Sequence, residues 1–156
     1  MKIRFDQAPI PPVTVSSMTM TVATRDQVGP LVGRLFDRVF AAYAADGTPT
    51  GTPVAWYDDS SGEMYFGAGL DTPLAEPGAF GLTNVSLAGS ERGWLATYRG
   101  PLPGIVEAWR QLGERIAEAG DTPTGVCREI YLEPSMDFTA DWVIELQQPV
   151  LAPEQP

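Results

Sequence analysis

Aromatic side chains on predicted strands are the residues of this sequence best suited to bind a flat molecule. Tyr57, Trp94, Tyr98 and Tyr131 each lie in a short run of β-branched, aromatic and small residues that is typical of a strand. Such rings often fill a sheet core, but rings that line a groove could stack on a flat apolar or cationic compound. Both interpretations stay open, and we predict an aromatic-lined pocket.

A single acid interrupts the last hydrophobic strand. Glu145 shares a strand face with Val143 and Gln147, whereas Trp142 lies on the opposite face with the apolar residues that alternate with it. The carboxylate could be solvated on an open face, which the pattern alone slightly favours. In a pocket it would be desolvated and would attract a cation or act as a general acid or base.

Three further residues carry groups that could do chemistry. Glu129 alternates with Tyr131 and is a weaker candidate than Glu145, because it flanks Arg128 and could simply pair with it at the surface. Trp109, on an apolar helix face, and Trp142 are predicted to be core residues.

Composition excludes several classes of site. The chain has no histidine and one cysteine, Cys127, so histidine-based triads, ordinary zinc sites and internal disulfides are excluded. A net charge of −10 argues against direct binding of nucleic acid and favours cationic ligands. No signal peptide, membrane-spanning run, cofactor motif or metal motif is evident, so we expect a cytoplasmic protein without a cofactor.

Two related halves must position these residues. The same 74-residue offset separates Pro49 from Pro123 and Tyr57 from Tyr131, which indicates an internal repeat. In each half the pattern predicts strand, helix, strand and strand. The predicted elements are strands at 13–23, 53–59, 63–70, 92–99, 126–132 and 140–147, a short strand at 82–87, and helices at 28–46 and 103–119. Residues 1–12 are predicted to be an extended lead-in.

The predicted fold class is α+β. Each half alone would leave a sheet edge unpaired, so two halves side by side would form one antiparallel sheet backed by two helices. We therefore predict a single domain over residues 1–156, with halves at about 13–73 and 82–150 and a groove at the seam between them.

The repeated module resembles the GyrI-like small-molecule-binding domain, which is also the effector-binding domain of AraC-type and MerR-type regulators. The similarity spans roughly residues 13–150. The segments that carry it are, in chain order, Met18-Thr19-Met20, Leu35-Phe36-Asp37, Thr50-Gly51-Thr52-Pro53, Thr97-Tyr98-Arg99-Gly100-Pro101, Pro123-Thr124-Gly125, Arg128-Glu129-Ile130-Tyr131 and Asp141 to Pro149.

The resemblance implies a groove that binds hydrophobic, often aromatic or cationic compounds. It implies that Glu145 is the acid of the last strand in that pocket and that Tyr57 and Tyr131 line it. Trp94 stands where the family commonly has a small residue, and Tyr98 stands where it commonly has histidine, so both enlarge the aromatic lining.

The preferred expectation is a free-standing, multidrug-like binding protein that sequesters or senses such compounds. In the alternative, because a subset of the family hydrolyses cyclopropane-bearing DNA alkylators, the protein is a resistance hydrolase in which Glu145 would be catalytic. A third possibility is an acidic protein that inhibits a DNA-binding enzyme.

Overall fold

The computed structural model describes residues 1–137 and 139–153, and these contain nine strands and two α-helices. The chain divides into a first unit, Pro12–Ala88, and a second unit, Met1–Pro11 with Gly89–Pro156. The elements are β1 (Lys2–Gln7), β2 (Val13–Val22), α1 (Gly29–Asp46), β3 (Pro53–Asp58), β4 (Met64–Leu70), β5 (Thr83–Leu87), β6 (Gly93–Gly100), α2 (Ile105–Glu118), β7 (Thr122–Pro123), β8 (Cys127–Glu133) and β9 (Trp142–Leu151).

The first unit is an antiparallel sheet in the order β3-β4-β2-β5, with α1 packed on β2 and β4. The apolar stripe of α1 buries Leu35, Val39 and Tyr43, as its three- and four-residue spacing predicts. The Tyr43 hydroxyl donates to the Thr72 carbonyl at 2.6 Å, which fastens the helix to the segment after β4. Gly47 ends the helix in the left-handed conformation, with φ of 76°.

The second unit is an antiparallel sheet in the order β1-β6-β9-β8, with the short β7 also paired to β9. Helix α2 packs on β6 through the buried residues Ala108, Leu112 and Ile116. A register shift between Tyr131 and Glu133 interrupts the pairing of β8 with β9.

The predicted α+β class, with antiparallel strands and two helices, is confirmed. The internal repeat of strand, helix, strand and strand stays a prediction, and in the second unit the short β7 lies between α2 and β8. The predicted lead-in is wrong for residues 2–7, which form β1 and pair with β6. The single domain, its half boundaries and the groove between halves stay predictions. Within the described ranges, no helix combines the length and hydropathy needed to cross a membrane.

Candidate functional site

The sheet register of the second unit separates the predicted site residues onto two faces. Directly paired residues of antiparallel strands share a face. Tyr98 and Tyr131 both pair with Ile144, so their side chains lie on one face. Trp94 alternates with Tyr98 at an interval of four residues and lies there too. We call this the helix face, because it meets α2.

Glu145 lies on the opposite face, which we call the outer face. It pairs with Thr97 on one side and Ile130 on the other. Its side chain is half-buried and accepts a hydrogen bond from Gln147 Nε2 at 2.8 Å. The geometry therefore does not bring Glu145 together with Trp94, Tyr98 or Tyr131 on one face of the sheet, and its role in a site stays a prediction.

A different acid, Glu129, lies on the helix face among aromatic rings. Glu129 is only 5% exposed, and Trp109 of α2 donates from Nε1 to its Oε2 at 2.7 Å. The Tyr131 hydroxyl donates to Oε1 at 2.6 Å. Both carboxylate oxygens therefore accept a hydrogen bond, and these two donors are neutral side chains.

A fourth residue completes this arrangement. The ring of Trp142 contacts Tyr131 edge to face, with centroids 6.1 Å apart and planes at 74°. Its Nε1 donates to the carbonyl of Asp137 at 3.2 Å, in the loop between β8 and β9. We refer to Trp109, Glu129, Tyr131 and Trp142 as the Glu129 cluster.

Local sequence explains how the Glu129 cluster assembles. Glu129 and Tyr131 are two residues apart on β8, so alternation puts both on the helix face. Trp109 is three residues before Leu112 on the buried stripe of α2, and it is half-buried at the edge of that stripe. Trp142 opens β9, the neighbour of β8. The Glu129 carboxylate therefore accepts one hydrogen bond from α2, through Trp109, and one from its own strand, through Tyr131.

Trp94 and Tyr98 have other polar partners on the same face. Trp94 Nε1 donates to Oδ2 of Asp121 at 2.8 Å, and Arg92 Nη2 contacts Oδ1 at 2.9 Å. These two hydrogen bonds hold the pKa of Asp121 below its ordinary value. Tyr98 is fully buried and donates to the Pro101 carbonyl at 2.5 Å. Burial, with a smaller effect of Asp141, raises its pKa.

Tyr57, the remaining predicted residue, lies on β3 of the first unit. Its ring is half-buried and stacks on Phe66, with centroids 6.4 Å apart and planes at 20°. Ala55, two residues earlier, is fully buried. In the first unit Tyr57 therefore stacks on another aromatic ring, whereas in the second unit Tyr131 donates a hydrogen bond to an acid. Ligand contacts of Tyr57, Trp94 and Tyr98 stay predictions.

The fold matches several solved structures. The C-terminal domain of EcmrR is 18% identical, with a TM-score of 0.68, and the match covers 97% of this chain and 99% of that one. SAV2435, solved bound to tetraphenylphosphonium, is 15% identical with a TM-score of 0.64 and coverage of 97% and 94%. A hydrolase from Listeria innocua is 11% identical with a TM-score of 0.60 and coverage of 95% and 92%.

The chain has the GyrI-like fold. No family model matches the sequence, and no curated protein matches it. At these identities the likeness concerns the fold and leaves the site to be argued from this chain's own residues.

The sequence pattern ranks Glu129 below Glu145 and predicts Trp109 to be a core residue, whereas the structure has Trp109 half-buried and bonded to Glu129. The alternation of Glu129 with Tyr131 was visible and is a usable signal, because it puts an acid and a phenol on one face of a strand. The third member, Trp109, comes from a helix 20 residues away, and no local pattern links it to the acid.

Proposed function

We propose that the protein binds aromatic, cationic small molecules at the Glu129 cluster, where it sequesters or senses them. The observation that carries the proposal is the buried Glu129 carboxylate, held by the neutral donors Trp109 and Tyr131. A fixed acid beside aromatic rings is suited to a flat ligand with a positive charge.

The energetics favour a cation over a neutral ring. Desolvation of a carboxylate costs several kcal/mol, and hydrogen bonds from Trp109 and Tyr131 offset part of that cost. A ligand cation would offset more of it, and contact with an aromatic face adds about 0.5–2 kcal/mol. The net charge of −10 raises the local concentration of cations at low salt.

The structural neighbours are compatible with this ligand class. SAV2435 was solved with tetraphenylphosphonium, which carries four aromatic rings and one delocalised positive charge. That finding belongs to SAV2435, and it supports the choice of aromatic cations as the first compounds to test here.

The test compares two ligands that differ in a fixed charge. N-methylacridinium carries a permanent charge, whereas acridine has the same ring system and is neutral at mildly alkaline pH. Calorimetry and quenching of tryptophan fluorescence are expected to give about tenfold or more tighter binding of the cation. Equal affinities, or no binding of either compound, would refute the proposal.

A second candidate function is hydrolysis of a strained cyclopropane ring in a DNA-alkylating compound. The 2.6 Å hydrogen bond between Tyr131 and Glu129 favours it, because it places a proton donor and a potential general base together. Glu129 would take a proton from water as the oxygen bonds to a ring carbon. The cleaved carbon–carbon bond leaves its electron pair on the conjugated carbonyl, which Tyr131 would polarise, and the proton that Glu129 took is returned to the carbonyl oxygen.

Mass spectrometry separates the two candidates. Hydrolysis adds one water to the compound, whereas binding alone returns it unchanged. Turnover that is lost in Glu129→Gln would establish the enzyme, and unchanged compound despite measurable binding would leave the binding function alone.

A further inference from the structure

Trp142 of the Glu129 cluster also contacts the loop between β8 and β9. Trp142 donates its indole N–H to the Asp137 carbonyl at 3.2 Å and packs the edge of its ring against Tyr131. Tyr131 in turn donates to Glu129 at 2.6 Å. Trp142 and Tyr131 are 9% and 6% exposed, so both rings are confined by packing.

Asp137 organises the loop at the other end of this connection. Its Oδ1 accepts hydrogen bonds from the backbone N–H of Thr139 at 2.8 Å and from the Thr139 hydroxyl at 2.7 Å. Its backbone N–H donates to Ser135 Oγ at 3.0 Å, and its carbonyl also accepts from Ala140 at 3.2 Å. The Thr139 bonds hold the pKa of Asp137 below its ordinary value, so the turn is kept by an ionised carboxylate.

The β8 strand changes register directly after Tyr131. The shift between Tyr131 and Glu133 is the kind of irregularity that re-aims a side chain and bends its strand. The backbone on that side therefore does not hold Tyr131 in a regular ladder. The ring of Trp142 contacts Tyr131 edge to face and supports the phenol ring laterally.

We propose that Trp142 is a positioning residue that keeps the Tyr131 hydroxyl on Glu129, and that the Asp137 turn thereby sets how strongly the site prefers a cation. The inference rests on the proposed function of the Glu129 cluster. When the phenol moves away, Glu129 keeps the Trp109 bond and loses the Tyr131 hydrogen bond on Oε1. The carboxylate is then less well oriented, and charge recognition weakens more than stacking does.

The experiment measures the ratio of acridine to N-methylacridinium dissociation constants. Trp142→Phe keeps an aromatic edge against Tyr131 but loses the hydrogen bond to the Asp137 carbonyl, so the ratio is expected to fall by about twofold. Trp142→Leu removes the ring, and the ratio is expected to fall about 3- to 10-fold. Asp137→Ala changes an exposed side chain and removes its two hydrogen bonds from Thr139, while the backbone bonds of the turn remain. It is expected to lower the ratio by about as much as Trp142→Phe does.

Trp56→Leu is the matched control. Trp56 contacts Tyr65 edge to face at 5.1 Å and 70°, and donates to Ser17 Oγ at 3.1 Å, so it repeats the Trp142 arrangement in the first unit. It is expected to lower the melting temperature without changing the ratio.

The outcomes distinguish the two claims. A wild-type ratio near one refutes the proposed function itself. The positioning role is overturned if the wild type prefers the cation and folded Trp142→Leu or Asp137→Ala keeps the same ratio. It is also overturned if Trp56→Leu lowers the ratio as much as Trp142→Leu does. Should Trp142→Leu fail to fold, Asp137→Ala alone decides.

Discussion

Glu129→Gln is the substitution that most directly tests whether the buried acid recognises a cation. Gln has nearly the shape of Glu but no charge. Its amide oxygen can accept from Trp109 or from Tyr131, and its NH₂ group cannot accept the second bond. The variant therefore changes the charge and one hydrogen bond while it keeps the volume of the Glu129 cluster.

The magnitude follows from Coulomb's law. A ligand charge stacked on a neighbouring ring would lie roughly 5 Å from the carboxylate, which gives about 3 kcal/mol at an effective dielectric constant of about 20. Desolvation of both groups removes part of this attraction. A net loss of about 1.5–3 kcal/mol corresponds to a roughly 10- to 100-fold weaker affinity for N-methylacridinium. Acridine is expected to lose less than about threefold, because it gains nothing from the charge.

Calorimetry on the folded variant gives both affinities, and thermal melting checks that it is folded. Glu145→Gln is the matched control, since it makes the same chemical change on the outer face, beside Gln147. It is expected to leave the preference for the cation intact. Loss of the preference in Glu145→Gln and its retention in Glu129→Gln would refute the reasoning from burial and support the assignment made from sequence.

Two further predictions concern stability. Hydrogen bonds from Trp94 and Arg92 lower the pKa of Asp121 in the folded state. The ionised Asp121 side chain therefore stabilises the fold fully above its unfolded-state pKa, and this stabilisation is lost as the pH falls through the folded-state pKa. Urea midpoints of Asp121→Asn should therefore be lower than wild type at neutral pH and converge with it in acid. Gly69→Ala should destabilise the fold by about 1–3 kcal/mol, because its Cβ would lie 2.0 Å from the Ser16 carbonyl oxygen of β2. Gly33→Ala on α1, where the Cβ meets open space, should instead stabilise the fold by up to about 1 kcal/mol. Urea titrations measure both changes. Urea midpoints of Asp121→Asn and wild type that still differ in acid would contradict the first prediction. Equal changes in stability for Gly69→Ala and Gly33→Ala would contradict the second.

Periodicity predicted most of the fold, because the elements carry their own patterns. The helix predicted at 28–46 is observed at Gly29–Asp46, since its apolar spacing and closing glycine are both local signals. The strand β1 is not predicted although Lys2, Arg4 and Asp6 alternate with apolar residues, because only Ile3 and Phe5 carry that alternation. Its strand conformation depends on pairing with β6, which is a long-range contact that composition does not reveal.

The site was harder to predict, because alternation tells which residues share a face without telling which face meets a helix. Ile130 pairs with Glu145 and Leu146 pairs with Glu129, so the two acids lie on opposite faces of neighbouring strands. A shift of one residue in this register would put both acids on the same face. Which acid enters the aromatic surroundings is therefore decided by strand pairing and by the packing of Trp109 from α2, and neither is encoded near the acids themselves. The binding comparison of Glu129→Gln with Glu145→Gln consequently tests the register as much as it tests the ligand.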